Sequence, residues 1–235
     1  INDIFQNLYT VVIGKFFPLK QVGYYNRAVS FQYLSTNLIT QIVQRVSMPV
    51  LCEQQHDDVK MRQTHLNFMM VAALPVFPLL FGLFVLAEPL VVFLLTAKWL
   101  PVAYMLQILC PVGLLFVINT FNLNIFNATG RTDLALKVEL YKKVIMVLLI
   151  VVSLGIGFEA LLYSQIVVAV IELLVNTWYT RKLIGLSLTE QLRYLWPVVL
   201  SSAIMALLVW FAVQFNVSPP VQLVTGGMVG IISYL

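Results

Sequence analysis

Charge is scarce in this chain. Only 10% of its 235 residues are Asp, Glu, Lys or Arg, against roughly a quarter in an ordinary soluble domain, so a water-facing surface cannot be built from it. Cysteine is nearly missing too. Cys52 and Cys110 form no CxxC pair and lie in very different segments, which argues against a redox or metal-thiolate site. The two histidines, His56 and His65, fall in one polar stretch with Glu53, Asp57 and Asp58, and their spacing is not compact enough for metal ligands. That stretch is expected to be a solvated loop. No serine-nucleophile elbow, phosphate-binding glycine loop or sensibly placed acid pair appears, and this removes most support for an enzyme. There is no repeat of 20 to 50 residues, no low-complexity tract and no leader with a basic start and a small-residue cleavage site.

What the chain has instead is grease. Hydrophobic residues make up 60% of it, and residues 66–87 and 102–126 contain no Asp, Glu, Lys or Arg. Each run reaches the roughly 20 residues that carry a helix across about 30 Å of hydrocarbon. In lipid every backbone amide must be paired within its own segment or in a closed barrel, and runs of this length select helices. The fold expected is therefore all-α, a polytopic membrane helix bundle. About eight spans are predicted, at 4–17, 28–51, 66–87, 102–126, 140–158, 160–179, 195–215 and 221–235. The chain begins with Ile1 rather than Met and its last apolar stretch stops after fifteen residues, so a longer parent protein is expected.

If all eight segments cross, the loops alternate sides. Arg45, Lys60, Arg62, Arg131, Lys137, Lys142, Lys143, Arg181, Lys182 and Arg193 then share one side, and Lys15, Lys20, Arg27 and Lys98 the other. Basic residues accumulate in cytoplasmic loops, which makes the first side cytoplasmic. The net charge of +4 is explained by this orientation signal, and nucleic acid is not an expected partner. Residues 181–195 are predicted to be a cytoplasmic amphipathic connector. Ser187 and Glu190 fit a capping box there, and Leu188, Leu192 and Leu195 recur at helical spacing.

Four features could carry function. On a 3.6-residue helix Ser30, Tyr33, Asn37, Thr40, Gln41 and Gln44 share one face, while Phe31, Leu38, Ile42, Val46 and Val50 share the other. The polar face either packs against other helices or lines a water-filled cavity. The fourth segment repeats this with Asn119, Thr120, Asn122 and Asn127, whose uncharged amides and hydroxyl suit sugar hydroxyls or helix contacts. Lys15, Lys20 and Arg27 sit on the side that the orientation rule depletes. They either snorkel to headgroups or attract phosphate groups of an amphiphilic substrate. Glu172 is an acid inside an otherwise apolar span, where it either snorkels or couples transport to a proton or cation. Pro75, Pro78 and Pro111 should bend their helices, and Gly226 with Gly230 forms a GxxxG packing signal.

Particular residues also carry a family likeness. Gly14-Lys15-Phe16 and Gly23-Tyr24-Tyr25-Asn26-Arg27-Ala28 resemble the start of the C-terminal half of Wzx-type polysaccharide flippases, in the multidrug/oligosaccharidyl-lipid/polysaccharide exporter superfamily. Ala87-Glu88-Pro89-Leu90 through Lys98-Trp99, then Leu106-Gln107-Ile108-Leu109, and Asn127-Ala128-Thr129-Gly130-Arg131-Thr132-Asp133-Leu134 are similar to that family as well. The resemblance implies a bacterial inner-membrane protein of two six-helix lobes around a central cavity, moving undecaprenyl-diphosphate-linked repeat units by alternating access. This chain would supply the second lobe (1–180), the connector (181–195) and two additional helices (196–235). Its partners would be a lipid-linked oligosaccharide, membrane lipids and the missing N-terminal lobe, with glycan polymerase machinery as a further candidate. No cofactor is implied. Substrate contacts would come from Lys15, Lys20, Arg27, Asn37, Gln41, Gln44, Arg45, Asn119 and Asn122, and ion coupling from Glu172. The alternatives are a cation-coupled multidrug exporter of the same superfamily and a polytopic enzyme acting on polyprenyl-linked sugars. The enzyme would call for a large outer loop, and the outer loops expected here are short.

Overall fold

The computed structural model describes residues 7–214 and 218–234, and these form helices with no strand among them. The outermost residues of the predicted spans 4–17, 195–215 and 221–235 lie outside the described residues. In chain order the helices are α1 (Leu8–Phe16), α2 (Leu19–Glu53), α3 (Asp58–Val85), α4 (Ala87–Leu95), α5 (Leu100–Ala128), α6 (Thr132–Ile156), α7 (Phe158–Ile184), α8 (Leu188–Gln214) and α9 (Pro219–Tyr234). A single 3₁₀ turn, Ala97–Trp99, joins α4 to α5.

Among the described residues four segments are long and apolar enough to cross a membrane: Asp58–Val85, Ala97–Ala128, Phe158–Ile184 and Leu188–Gln214. The polar stripe of α2 dilutes its hydropathy, and Lys137, Glu139, Lys142 and Lys143 do the same in the first half of α6. The protein is a multi-pass helical membrane bundle.

Several helices begin earlier than expected, α3 at Asp58 rather than 66 among them. α2 starts at Leu19 rather than near 28, directly after Pro18 at its N-cap, so Lys20 and Arg27 stand on helix and not in a loop. α6 starts at Thr132 rather than 140, which places Lys137 and Glu139 on a helix as well. Hydropathy marks where lipid ends, whereas a helix continues as long as its backbone is paired.

Helix ends follow local chemistry. The Asp57 side chain accepts from the Lys60 backbone amide at 3.1 Å and caps α3. That hydrogen bond holds the Asp57 carboxyl below the usual carboxylate range. Gly157, with φ of 138°, is the one residue between α6 and α7. Gly185 ends α7 in the left-handed conformation, its N–H donating to Arg181 O. The capping box then opens α8: Ser187 N–H donates to Glu190 Oε2 at 2.9 Å, and Glu190 N–H to Ser187 Oγ at 3.4 Å. Residues 188–195 are not a separate surface helix. They are the first two turns of α8, which runs on through Pro197, and Gln191 and Leu195 are buried against the bundle.

α5 is the central rod. It packs on α2, α3, α4 and α7, while α8 lies on α3, and α9 lies on α8 and α4. Gly113 permits the closest approach: a Cβ there would sit 2.7 Å from Gln32 Nε2, 3.0 Å from Leu80 Cδ1 and 3.2 Å from Thr36 Cγ2. The GxxxG glycines of α9 are both buried and face Val209 and Met205 of α8, as small interfacial residues do.

Candidate functional site

The polar face of α2 divides in three. Thr36, Thr40 and Ser47 are buried, and each hydroxyl donates back to a carbonyl of its own helix, Thr40 Oγ1 to Thr36 O at 2.6 Å. Asn37 is half-buried, whereas Gln41 and Arg45 are exposed. Gln44 reaches across to α5, donating from Nε2 to Asn124 Oδ1 at 3.1 Å. The opposite face carries Leu38, Ile42 and Val46, all more than half exposed.

Beside Gln44 lies a cavity of about 430 Å³ between α1, α2, α5, α6 and α7. This is the size of a small-molecule site, which runs from roughly 300 to 1,000 Å³. Its walls combine Asn119, Thr120, Gln165 and Asn176 with the charged Glu139, Lys142, Lys143 and Glu172, and with apolar Val112, Phe116, Met146 and Val168.

One relay orders the charged end. Asn119 Nδ2 donates to Ala169 O at 3.2 Å, Asn176 Nδ2 donates to Asn119 Oδ1 at 3.1 Å, and Lys142 Nζ donates to Asn176 Oδ1 at 3.2 Å. Lys142 is 4% exposed and also pairs with Glu139. Lys143 Nζ stands 3.9 Å from the other oxygen of Glu139. The carboxylate of Glu172 has no ammonium or guanidinium within 4.0 Å among the described residues, although it lines the same cavity one turn from Asn176. Ionisable groups at membrane depth are kept where they face a polar cavity, and function is the default reading of them.

The site brings together Gln44, Asn119 and Glu172 of the residues expected from sequence. Asn122 is elsewhere: it is fully buried, donates to Thr177 Oγ1 at 3.3 Å and exchanges two 3.0 Å bonds with Gln191, tying α8 to α5. Lys15, Lys20 and Arg27 are exposed on α1 and α2, Lys15 and Lys20 beside the rings of Phe16 and Tyr24, and none lines the cavity. His65 is not in a solvated loop. It is fully buried on α3, whose helix starts at Asp58. Among the described residues no group of three or more His, Cys, Asp or Glu is arranged to hold a metal.

Sequence reasoning missed Glu139, Lys142, Lys143, Gln165 and Asn176. Glu139 was hidden by the late start given to α6, and Lys142 and Lys143, at the beginning of the predicted span 140–158, were counted as an orientation signal. Gln165 and Asn176 were within reach, since they lie seven residues before and four after Glu172 and so share its helix face.

A second, apolar groove of about 450 Å³ lies between α3, α4, α8 and α9, with Leu79, Leu83, Leu86, Met205, Val209 and Gly226 among its walls.

Residues 1–104 match a family described as polysaccharide biosynthesis protein. Over 209 residues the chain is 25% identical to the teichuronic acid biosynthesis protein TuaB of Bacillus subtilis, covering 88% of this chain and 43% of that one. It is 28% identical over 153 residues to the lipopolysaccharide biosynthesis protein WzxC of Escherichia coli, covering 65% and 31%. The chain thus spans less than half the length of these relatives. Its fold matches the lipid II flippase MurJ, in an inward closed conformation, with a TM-score of 0.79 at 16% identity, over 98% of this chain and 50% of that one. Family match and relatives agree, and the fold accords with them: this chain resembles the Wzx-type polysaccharide flippases of the multidrug/oligosaccharidyl-lipid/polysaccharide exporter superfamily.

Proposed function

We propose that the chain is the second lobe, with two additional helices, of a flippase that moves undecaprenyl-diphosphate-linked oligosaccharide repeat units across the bacterial inner membrane by alternating access. The observation that carries this reading is the cavity at membrane depth, walled by amides and by an ordered charge cluster inside an otherwise apolar bundle. Sugars need such a hydrated path, because each hydroxyl both donates and accepts. The apolar groove beside α8 and α9 offers the tail a place to ride. In this reading Lys15, Lys20 and Arg27, exposed and outside the cavity, attract the diphosphate, and Asn37, Gln41 and Arg45 meet the headgroup along α2. The helices through α7 form the transport lobe, and α8 with α9 the accessory pair, joined through residues 185–187. The protein performs no covalent chemistry and uses no cofactor. Its partners are the lipid-linked glycan, membrane lipids, the N-terminal lobe and glycan polymerase machinery.

Glu172 is the coupling group in this reading. Its carboxylate faces the cavity without an ion-pair partner among the described residues, while Glu139 is held by Lys142. The same feature favours a second reading, a cation-coupled drug exporter. Complementation of a flippase-deficient strain with the intact gene tests the first. Restored surface polysaccharide is expected, and extrusion of cationic dyes without such rescue would decide for the exporter.

A further inference from the structure

The pair formed by α6 and α7 has two flanks, and one of them turns away from the cavity. Ala135 and Val138 pack with Val175, Tyr179 and Leu183, and Lys142 Nζ bonds Asn176 Oδ1, so the helices lie side by side with Lys137 level with Trp178. At 3.6 residues per turn Glu139 and Lys143 point to one side of this seam, with Glu172 across from them, and all three line the cavity. Lys137 and Tyr141 fall on the opposite side of α6, and Trp178 and Lys182 on the matching side of α7.

That outer flank is basic at its cytoplasmic end and apolar beneath. Lys137 is exposed and has no carboxylate within 4.0 Å among the described residues. Lys182 Nζ stands 3.4 Å from the centroid of the Trp178 ring, a contact that positions the ammonium without neutralising it. Asp133 lies a turn before Lys137, in the first turn of α6, where the positive end of the helix offsets its charge. Towards the middle of the membrane the flank continues as Tyr141, Val144 and Leu148 of α6 beside Leu174 and Trp178 of α7, all more than half exposed.

This combination selects its occupant. Ammonium groups at the inner interface attract the phosphate of an anionic lipid, and an apolar strip directly below them takes an acyl chain. An acidic soluble protein would use the lysines and leave the strip bare, whereas a zwitterionic lipid would use the strip and gain little from the lysines. Because the flank faces away from the cavity, what rests on it is bulk phospholipid and not cargo in transit.

We propose that the outer flank of α6 and α7 is a binding site for an anionic phospholipid of the cytoplasmic leaflet, with the headgroup phosphate between Lys137 and Lys182 and one chain along Tyr141, Val144 and Leu148. The site rests on the orientation given by the basic residues and is independent of what the protein carries.

The test uses the intact full-length protein in detergent. Its thermal midpoint is followed during titration with phosphatidylglycerol, with phosphatidylcholine of the same chains, and with glycerol phosphate, a headgroup without chains. Phosphatidylglycerol raises the midpoint and the other two do not. Lys137→Gln with Lys182→Gln raises the half-saturating concentration of phosphatidylglycerol about tenfold. Arginine at both positions preserves it. Arg181→Gln with Arg193→Gln, which removes the same charge from other exposed positions at the cytoplasmic end, also leaves it unchanged. An equal rise with phosphatidylcholine, or a rise with glycerol phosphate alone, overturns the anionic-lipid assignment. Wild-type titration of the Lys137 and Lys182 double variant, or equal weakening by the two glutamine pairs, overturns the site.

Discussion

Lys142 shows how much can depend on one side chain. Its ammonium is 4% exposed and is held by Glu139 and by Asn176 Oδ1 at 3.2 Å. Breaking a buried pair from one side costs about 3–5 kcal/mol, and less here because Glu139 keeps a quarter of its surface. Lys142→Met should therefore lower the thermal midpoint of the purified protein by an amount matching about 2 kcal/mol. Glu139→Gln in the same chain should return at least half of that, because it removes the charge left behind. A midpoint unmoved by Lys142→Met would mean the pair contributes nothing. At Glu172 the expectation concerns function. Glu172→Gln should abolish the dependence of transport on an ion or proton gradient while leaving expression unchanged, and an intact dependence sends the coupling elsewhere. Glu172 itself was legible in the sequence as a lone acid in a greasy run. Its neighbours were not, because nothing in linear periodicity says that position 142 of one helix meets position 176 of the next.

Where α5 crosses α2 and α3 the fit is close. Gly113 faces Thr36 and Leu80, both fully buried, so Gly113→Val should destabilise by about 1–3 kcal/mol through overpacking. Gly113→Ala should cost less, since the nearest atom is the swinging end of Gln32. Equal midpoints for all three in a thermal melt would deny the close approach. The start of α8 offers a gentler case: Ser187→Ala removes both the cap and its bond to Glu190 Oε2, and a loss of about 1 kcal/mol is expected. That capping box could be read directly from Ser187 and Glu190. The same stretch misled in another respect. Leu188, Leu192 and Leu195 have the spacing of a helix lying on a membrane, yet the helix they begin continues to Gln214, and its fully buried Gln191 is paired with Asn122. An apolar stripe looks the same whether lipid or protein covers it.

For the molecule as a whole, orientation follows from the distribution of basic residues. In a chain lacking Cys52 and Cys110, Lys60→Cys and Arg131→Cys should be labelled from the cytoplasmic side by a membrane-impermeant reagent, and Lys98→Cys from the other. Lys98→Cys labelling from the cytoplasm would invert the topology. Neutralising Lys15, Lys20 and Arg27 together should reduce transport without reducing the amount of protein, as measured by reconstitution with a fluorescent lipid-linked glycan. The helical class was plain from residues 66–87 and 102–126, where no charge interrupts the run. The boundaries of α2 and α6 were not, because polar residues at a helix end resemble a loop to any scale that weighs only affinity for lipid.

Gly157 carries one last consequence. With a single residue between them, the ends of α6 and α7 that meet at Gly157 cannot slide past each other, and farther along Lys142 and Asn176 join the two helices by their own hydrogen bond. While that bond holds, the pair tilts as one piece, like the arms of a closed clasp. Motion that opens the chamber then comes from the walls supplied by α1, α2 and α5.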